Sequence, residues 1–72
     1  MSESLDVRGL SCPLPVMKTK AVMDRGAAVI EILGDTPAAR ENIARLAASR
    51  NYSVTEEEAP TGEWKLILTL RR

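Results

Sequence analysis

The stretch GLSCPLPVMK, Gly9 to Lys18, holds the only thiol of the chain, Cys12, with prolines at the next position and two beyond it. Thiolate is a strong nucleophile, and its supply depends on what surrounds the sulfur. The rest of the composition narrows what such a sulfur could do. There is no histidine, so a zinc site, a Cys-His pair and a Ser-His-Asp triad are all excluded within one chain. A single cysteine excludes an intramolecular disulfide, and with it a mechanism that resolves through a second thiol. No base is at hand for acyl transfer. A nucleophilic Cys12 is left with accepting a group, holding it and handing it on. The bland alternative is a small buried hydrophobe, and the two prolines argue against it.

The elements that would present this cysteine can be read from periodicity. From Ser4 to Gly9, Leu5 and Val7 alternate with Asp6 and Arg8, as in a strand with one buried face. Gly9 ends it and supplies backbone freedom before the cysteine. A helix is predicted from Pro13 to Asp24, with Val16, Thr19, Val22 and Met23 on its buried side and Gly26 as a left-handed cap. Ala27 to Leu33 is a β-branched run that reads as a second strand. Pro37 opens a second helix capped by Asp35 or Thr36, with Ala39, Ile43, Leu46 and Ala47 inward. Asn51 stops that helix. A third strand follows with Tyr52 and Val54 inward. After a Pro-Thr-Gly turn, a fourth carries Trp64, Leu66, Leu68 and Leu70 on one face. The expected architecture is α/β (α+β): one domain over residues 1–72, ordered β-α-β-α-β-β, a two-layer sandwich whose mixed four-stranded sheet carries both helices on one face.

In that frame Cys12 lies at the mouth of the first helix. With Pro13 as first helical residue, Cys12 is the N-cap and Pro15 the third. Neither proline then costs a hydrogen bond, because first-turn N–H groups have no intrahelical partner. Leu14 keeps an N–H that a sulfur at the N-cap could accept from, at the positive end of the helix dipole. A residue before proline resists the helical region, so a start at Pro15 is the alternative register. Either way the sulfur is expected at the helix entrance.

The totals agree with a small folded domain: 44% hydrophobic and 28% charged residues, with Tyr52 and Trp64 the only aromatics. The core must be aliphatic. Ten basic and ten acidic residues cancel, where a nucleic-acid or membrane-surface binder usually carries a basic excess. Arg40, Arg45, Arg50 and Arg71 are the candidates for an RNA-binding face. The N-terminal residues lack the apolar core of a signal peptide, and LILTL is too short to span a bilayer. A cytoplasmic protein with no membrane or direct nucleic-acid partner is expected. Asp6 and Glu56 to Glu58 read as solvated charges, and Trp64 as core edge.

The segment LDVRGLSCPLPVMKTKAVM resembles the TusA-like (SirA/YeeD/YedF) family of small sulfur carriers. Its hallmark is Cys-Pro-x-Pro after a strand of the type Leu-Asp-x-x-Gly, and the resemblance extends through GDTPAA to the closing hairpin. It implies that Cys12 carries a persulfide sulfur as transient cargo, with no resident cofactor or metal. The donor would be a cysteine desulfurase or rhodanese-type protein and the acceptor a sulfurtransferase. The pathways implied are tRNA thio-modification, molybdenum-cofactor synthesis, and sulfur or selenium metabolism. The second helix is closer to the YedF-like branch, linked by name to selenium. Such a protein is a relay rather than a stand-alone enzyme. Gly9, Pro13, Leu14 and Pro15 would shape the site, and Arg8, Met17, Lys18 and Lys20 could form the docking surface. The rival reading is an interaction or regulatory module in which the Cys-Pro-x-Pro turn is only a rigid helix start.

Overall fold

The computed structural model describes residues 2–11 and 13–71. The order is β1 (Ser2–Asp6), α1 (Leu14–Asp24), β2 (Val29–Gly34), α2 (Pro37–Ser49), β3 (Tyr52–Glu57) and β4 (Trp64–Leu70). The sheet runs β1-β2-β4-β3. β1 pairs parallel to β2, from Ser2 opposite Val29 to Asp6 opposite Leu33. β4 is inserted antiparallel between β2 and β3. This is the mixed four-stranded, two-layer architecture expected from the sequence.

Register decides which side chains meet. Ile30 lies opposite Leu68, Ile32 opposite Leu66, and Gly34 opposite Trp64. These side chains face the helices and are buried, together with Val22 and Met23 of α1 and Ala39, Ile43 and Ala47 of α2. Each Val, Ile, Leu or Met side chain removed from water this way contributes roughly 1.5–3 kcal/mol, and each alanine methyl less, before chain entropy is charged against it. Thr19 is fully buried among them. It is tolerated because its hydroxyl donates to the Pro15 carbonyl at 2.9 Å, so no polar atom is stranded.

Three expectations are corrected. β1 ends at Asp6, short of Gly9. There the Asp6 carboxylate accepts the Arg8 N–H at 3.1 Å, turning the chain within two residues, and Gly9 follows at φ +74°. Val7 is nevertheless buried, and its N–H still reaches the Leu33 carbonyl at 2.8 Å. Val54 is 38% exposed rather than inward, because β3 is an edge strand and helix cover fades beyond Tyr52. Leu46 is half-buried, while Ala39, Ile43 and Ala47 carry the stripe of α2. Gly26 and Asn51 adopt the left-handed conformation expected where the helices end.

Candidate functional site

The C-terminal ends of parallel strands β1 and β2 lie side by side, so the loops that leave them meet at one end of the sheet. The β1–α1 loop there is held amide by amide. Leu10 N–H donates to the Val7 carbonyl at 3.3 Å and Leu14 N–H to the Ser11 carbonyl at 3.0 Å. Gly9 N–H donates to both carboxylate oxygens of Asp35, at 3.2 Å each. Asp35 follows Gly34, the last residue of β2.

The start of α1 differs from the predicted register. Pro13 occupies the N-cap position, at φ −100° and ψ 16°, and Leu14 is the first helical residue, with Pro15 next and buried. The proline between them in this count leaves Leu14 and Val16 as the N–H groups of the first turn. Leu14 N–H is not available to a sulfur: the Ser11 carbonyl takes it, since a tight turn joins residue 11 to residue 14. The N-cap position expected of Cys12 thus falls to Pro13, and Cys12 itself lies outside the described residues. No acidic side chain occupies the first turn of α1, so the positive end of its dipole is not offset there.

An open depression of about 680 Å³ at this end is lined by Asp6, Arg8, Gly9, Leu10, Lys18, Asp35 and Glu63. Three carboxylates face two cations. Arg8 bridges Asp6 at 2.7 Å and Glu63 at 3.4 Å, tying the end of β1 to the start of β4. The Arg8 side chain, and then its backbone N–H, hold the Asp6 carboxyl down at about 2. The same Asp6 contact, followed by Glu63, keeps the Arg8 guanidinium firmly charged. Lys18 makes no ion pair among the described residues.

The predicted docking residues therefore divide. Arg8, Gly9 and Lys18 share the depression. Leu14 and Met17, 44% and 58% exposed, form an apolar rim on the first turn of α1. Lys20 pairs with Asp24 one turn on, at 3.3 Å, and does not line the depression. Two of the candidate RNA-facing arginines are neutralised, Arg40 by Glu56 and Arg50 by Asp24. The Arg50 and Lys20 contacts draw the Asp24 carboxyl below its ordinary range. Trp64 is buried rather than offered as a stacking surface. Among the described residues no side-chain cluster could hold a metal ion, and no helix is long and apolar enough to cross a membrane.

Of the two residues expected to cap α2, Asp35 or Thr36, it is Thr36 that holds the N-cap position, and no side chain caps the helix. The Asp35 carboxylate turns instead to Gly9. Parallel pairing of the first two strands contains the signal, because it sets the residue after β2 beside the loop after β1.

The comparisons agree with this architecture. A sequence model described as sulfurtransferase TusA matches residues 3–70. A protein of Methanocaldococcus jannaschii, named as a candidate sulfur carrier, is 34% identical over 68 residues, covering 92% of this chain and 91% of its own. A Thermotoga maritima protein named in the same way is 30% identical over 74 residues, covering 99% and 94%. The crystal structure of a SirA-like protein from Desulfitobacterium hafniense superposes with a TM-score of 0.81 at 26% identity, over 97% of this chain and 99% of that one. The full-length match in sequence and the common fold make this chain a member of the TusA sulfurtransferase family.

Proposed function

We propose that the protein is a sulfur carrier that takes a persulfide sulfur onto Cys12 from a donor protein and relays it to an acceptor. The observation that carries this reading is the placement of the chain's only thiol. In sequence it falls between a loop whose amides are tied down and a helix whose first turn holds no acidic residue. A helix N-terminus favours the thiolate over the thiol, and the thiolate is the form that attacks.

The chemistry is two exchanges at one sulfur. The Cys12 thiolate attacks the terminal sulfur of a donor persulfide. A new S–S bond forms to Cys12 as the donor S–S bond breaks, and the donor cysteine leaves as a thiolate. An acceptor thiolate then attacks the terminal sulfur on Cys12, and Cys12 is the leaving thiolate. No external oxidant or reductant enters, since the sulfane sulfur moves at constant oxidation level. A cysteine desulfurase or rhodanese-type protein suits the first exchange, and a sulfurtransferase the second. Both partners must reach the same sulfur in turn, so contact is transient. The exposed rim of Leu14 and Met17, with Lys18 beside it, is the surface such partners would touch.

The test is incubation with a cysteine desulfurase and cysteine, followed by intact-mass spectrometry. The protein should gain one sulfur atom, and Cys12→Ser should gain none. No gain with either class of donor, or an equal gain on Cys12→Ser, would sink the proposal.

A further inference from the structure

Asp35 is set where it is by its neighbours on both sides. Gly34 packs under the Trp64 ring so closely that a Cβ there would overlap the ring atoms. Thr36 offers its carbonyl to Trp64 Nε1–H at 2.9 Å. The buried indole thus fixes the backbone immediately before and after Asp35. From that anchored position the carboxylate spans to the β1–α1 loop and receives the Gly9 N–H on both oxygens. Gly9 stands at φ +74°, and a Cβ added there would meet nothing within 4 Å. The Asp35 carboxylate is the restraint on the Gly9 amide from outside the loop, beside the Leu10 N–H bond to the Val7 carbonyl within it. Three residues later in sequence comes Cys12.

We propose that Asp35 is a positioning residue for sulfur transfer, clamping the Gly9 amide and thereby the segment that leads to Cys12. This rests on the reading of Cys12 as the sulfur-bearing residue. A loop free at Gly9 would have to be ordered at each encounter with a partner, and small misplacements of a reacting atom are expensive in rate. The carboxylate does its work as a hydrogen-bond acceptor. An asparagine, which keeps one acceptor oxygen and loses the charge, should therefore substitute for it, whereas alanine should not.

The experiment compares wild type, Asp35→Ala and Asp35→Asn below their unfolding transitions. It reads the exchange rate of the Gly9 amide proton by NMR, the rate of sulfur uptake on Cys12 from a desulfurase, and the rate of Cys12 alkylation by iodoacetamide. In Asp35→Ala, Gly9 exchange should rise and sulfur uptake fall, each by about tenfold, while Asp35→Asn stays within about threefold of wild type. A purely structural Asp35 would shift the melting temperature and leave uptake by the folded protein unchanged. Unchanged Gly9 exchange in Asp35→Ala would overturn the clamp. Wild-type uptake in Asp35→Ala, or uptake as slow in Asp35→Asn, would overturn its positioning role. A wild-type protein that takes up no sulfur instead counts against Cys12 as carrier. Gly9 exchange and the alkylation rate then decide the clamp by themselves: both at wild-type values in Asp35→Ala would refute it, and both altered there but restored in Asp35→Asn would support it.

Discussion

Replacing Gly34 by alanine tests how the buried indole organises this end of the sheet. The added Cβ would fall 2.7 Å from Trp64 Cε2 and closer still to two other ring atoms. A contact that short cannot be absorbed in place. Trp64 is 6% exposed, so the ring has nowhere to move without disturbing its neighbours. Overpacking of this kind costs about 1–3 kcal/mol. Displacing the ring also breaks the Trp64 Nε1–H bond to the Thr36 carbonyl, at about 1 kcal/mol. Gly34 is not in the left-handed region, so alanine regains about 0.5 kcal/mol by restricting the unfolded chain. The net loss is about 2.5 kcal/mol, which for a domain of this size lowers the melting temperature by roughly 10–20 °C. Trp64 is the only tryptophan, so its fluorescence reports the displaced ring directly, beside circular dichroism for global unfolding. Gly9→Ala is the comparison. No heavy atom lies within 4 Å of its added Cβ. Only the left-handed backbone is penalised, by about 1 kcal/mol, and Trp64 emission should not move. A Gly34→Ala protein melting within about 3 °C of wild type, with unshifted emission, would refute the packing argument.

Two further outcomes follow from the same end of the molecule. Because Arg8 draws the Asp6 carboxyl from 3.8 to about 2 on folding, the ionised group favours the folded state above pH 3.8, and that contribution is lost as pH falls through about 2. The melting-temperature gap between wild type and Asp6→Asn should therefore be present at neutral pH and close on acidification; a gap constant down to that range would contradict the assignment. Met17 is 58% exposed and contributes little to the core, so Met17→Ser should leave the melting temperature unchanged. It should raise the KM for a persulfide donor by about tenfold with kcat preserved, and Lys20→Ala, outside the depression, should change neither; equal effects of the two would remove the docking role from the α1 rim.

Local pattern makes much of the fold legible in the sequence. Alternation of Trp64, Leu66 and Leu68 fixed the buried face of β4, and Ala39, Ile43 and Ala47 at helical spacing fixed that of α2. What pattern could not reveal depended on neighbours distant in sequence. Val54 follows the same alternation as Tyr52, yet its exposure comes from β3 being an edge. Insertion of β4 between β2 and β3 is what makes it one, and hairpin pairing alone does not specify that order. The α1 start was displaced for a local reason of another kind. A turn from Ser11 to Leu14 competes for the amide that a helix opening at Pro13 would have left free.

The site shows the same division, and it changes how the cysteine loop should be understood. The motif alone draws attention to charge: a thiolate at the positive end of a helix dipole, with Arg8 among the cations of a docking surface. In the fold, Arg8 is already engaged by Asp6 and Glu63, and carboxylates outnumber cations around the depression. Local side-chain charge therefore does not single out an anion. What it does supply is restraint, because Asp6 receives the Arg8 amide and Asp35 the Gly9 amide. A carrier that must release its cargo gains little from holding a sulfur anion tightly, since strong ground-state binding slows the second exchange as much as it helps the first. With Cys12 as the proposed carrier, a restrained loop leading to it and an exposed apolar rim on the adjoining helix turn would serve both exchanges equally. The acidic residues Asp6 and Asp35 of the depression are there for the backbone.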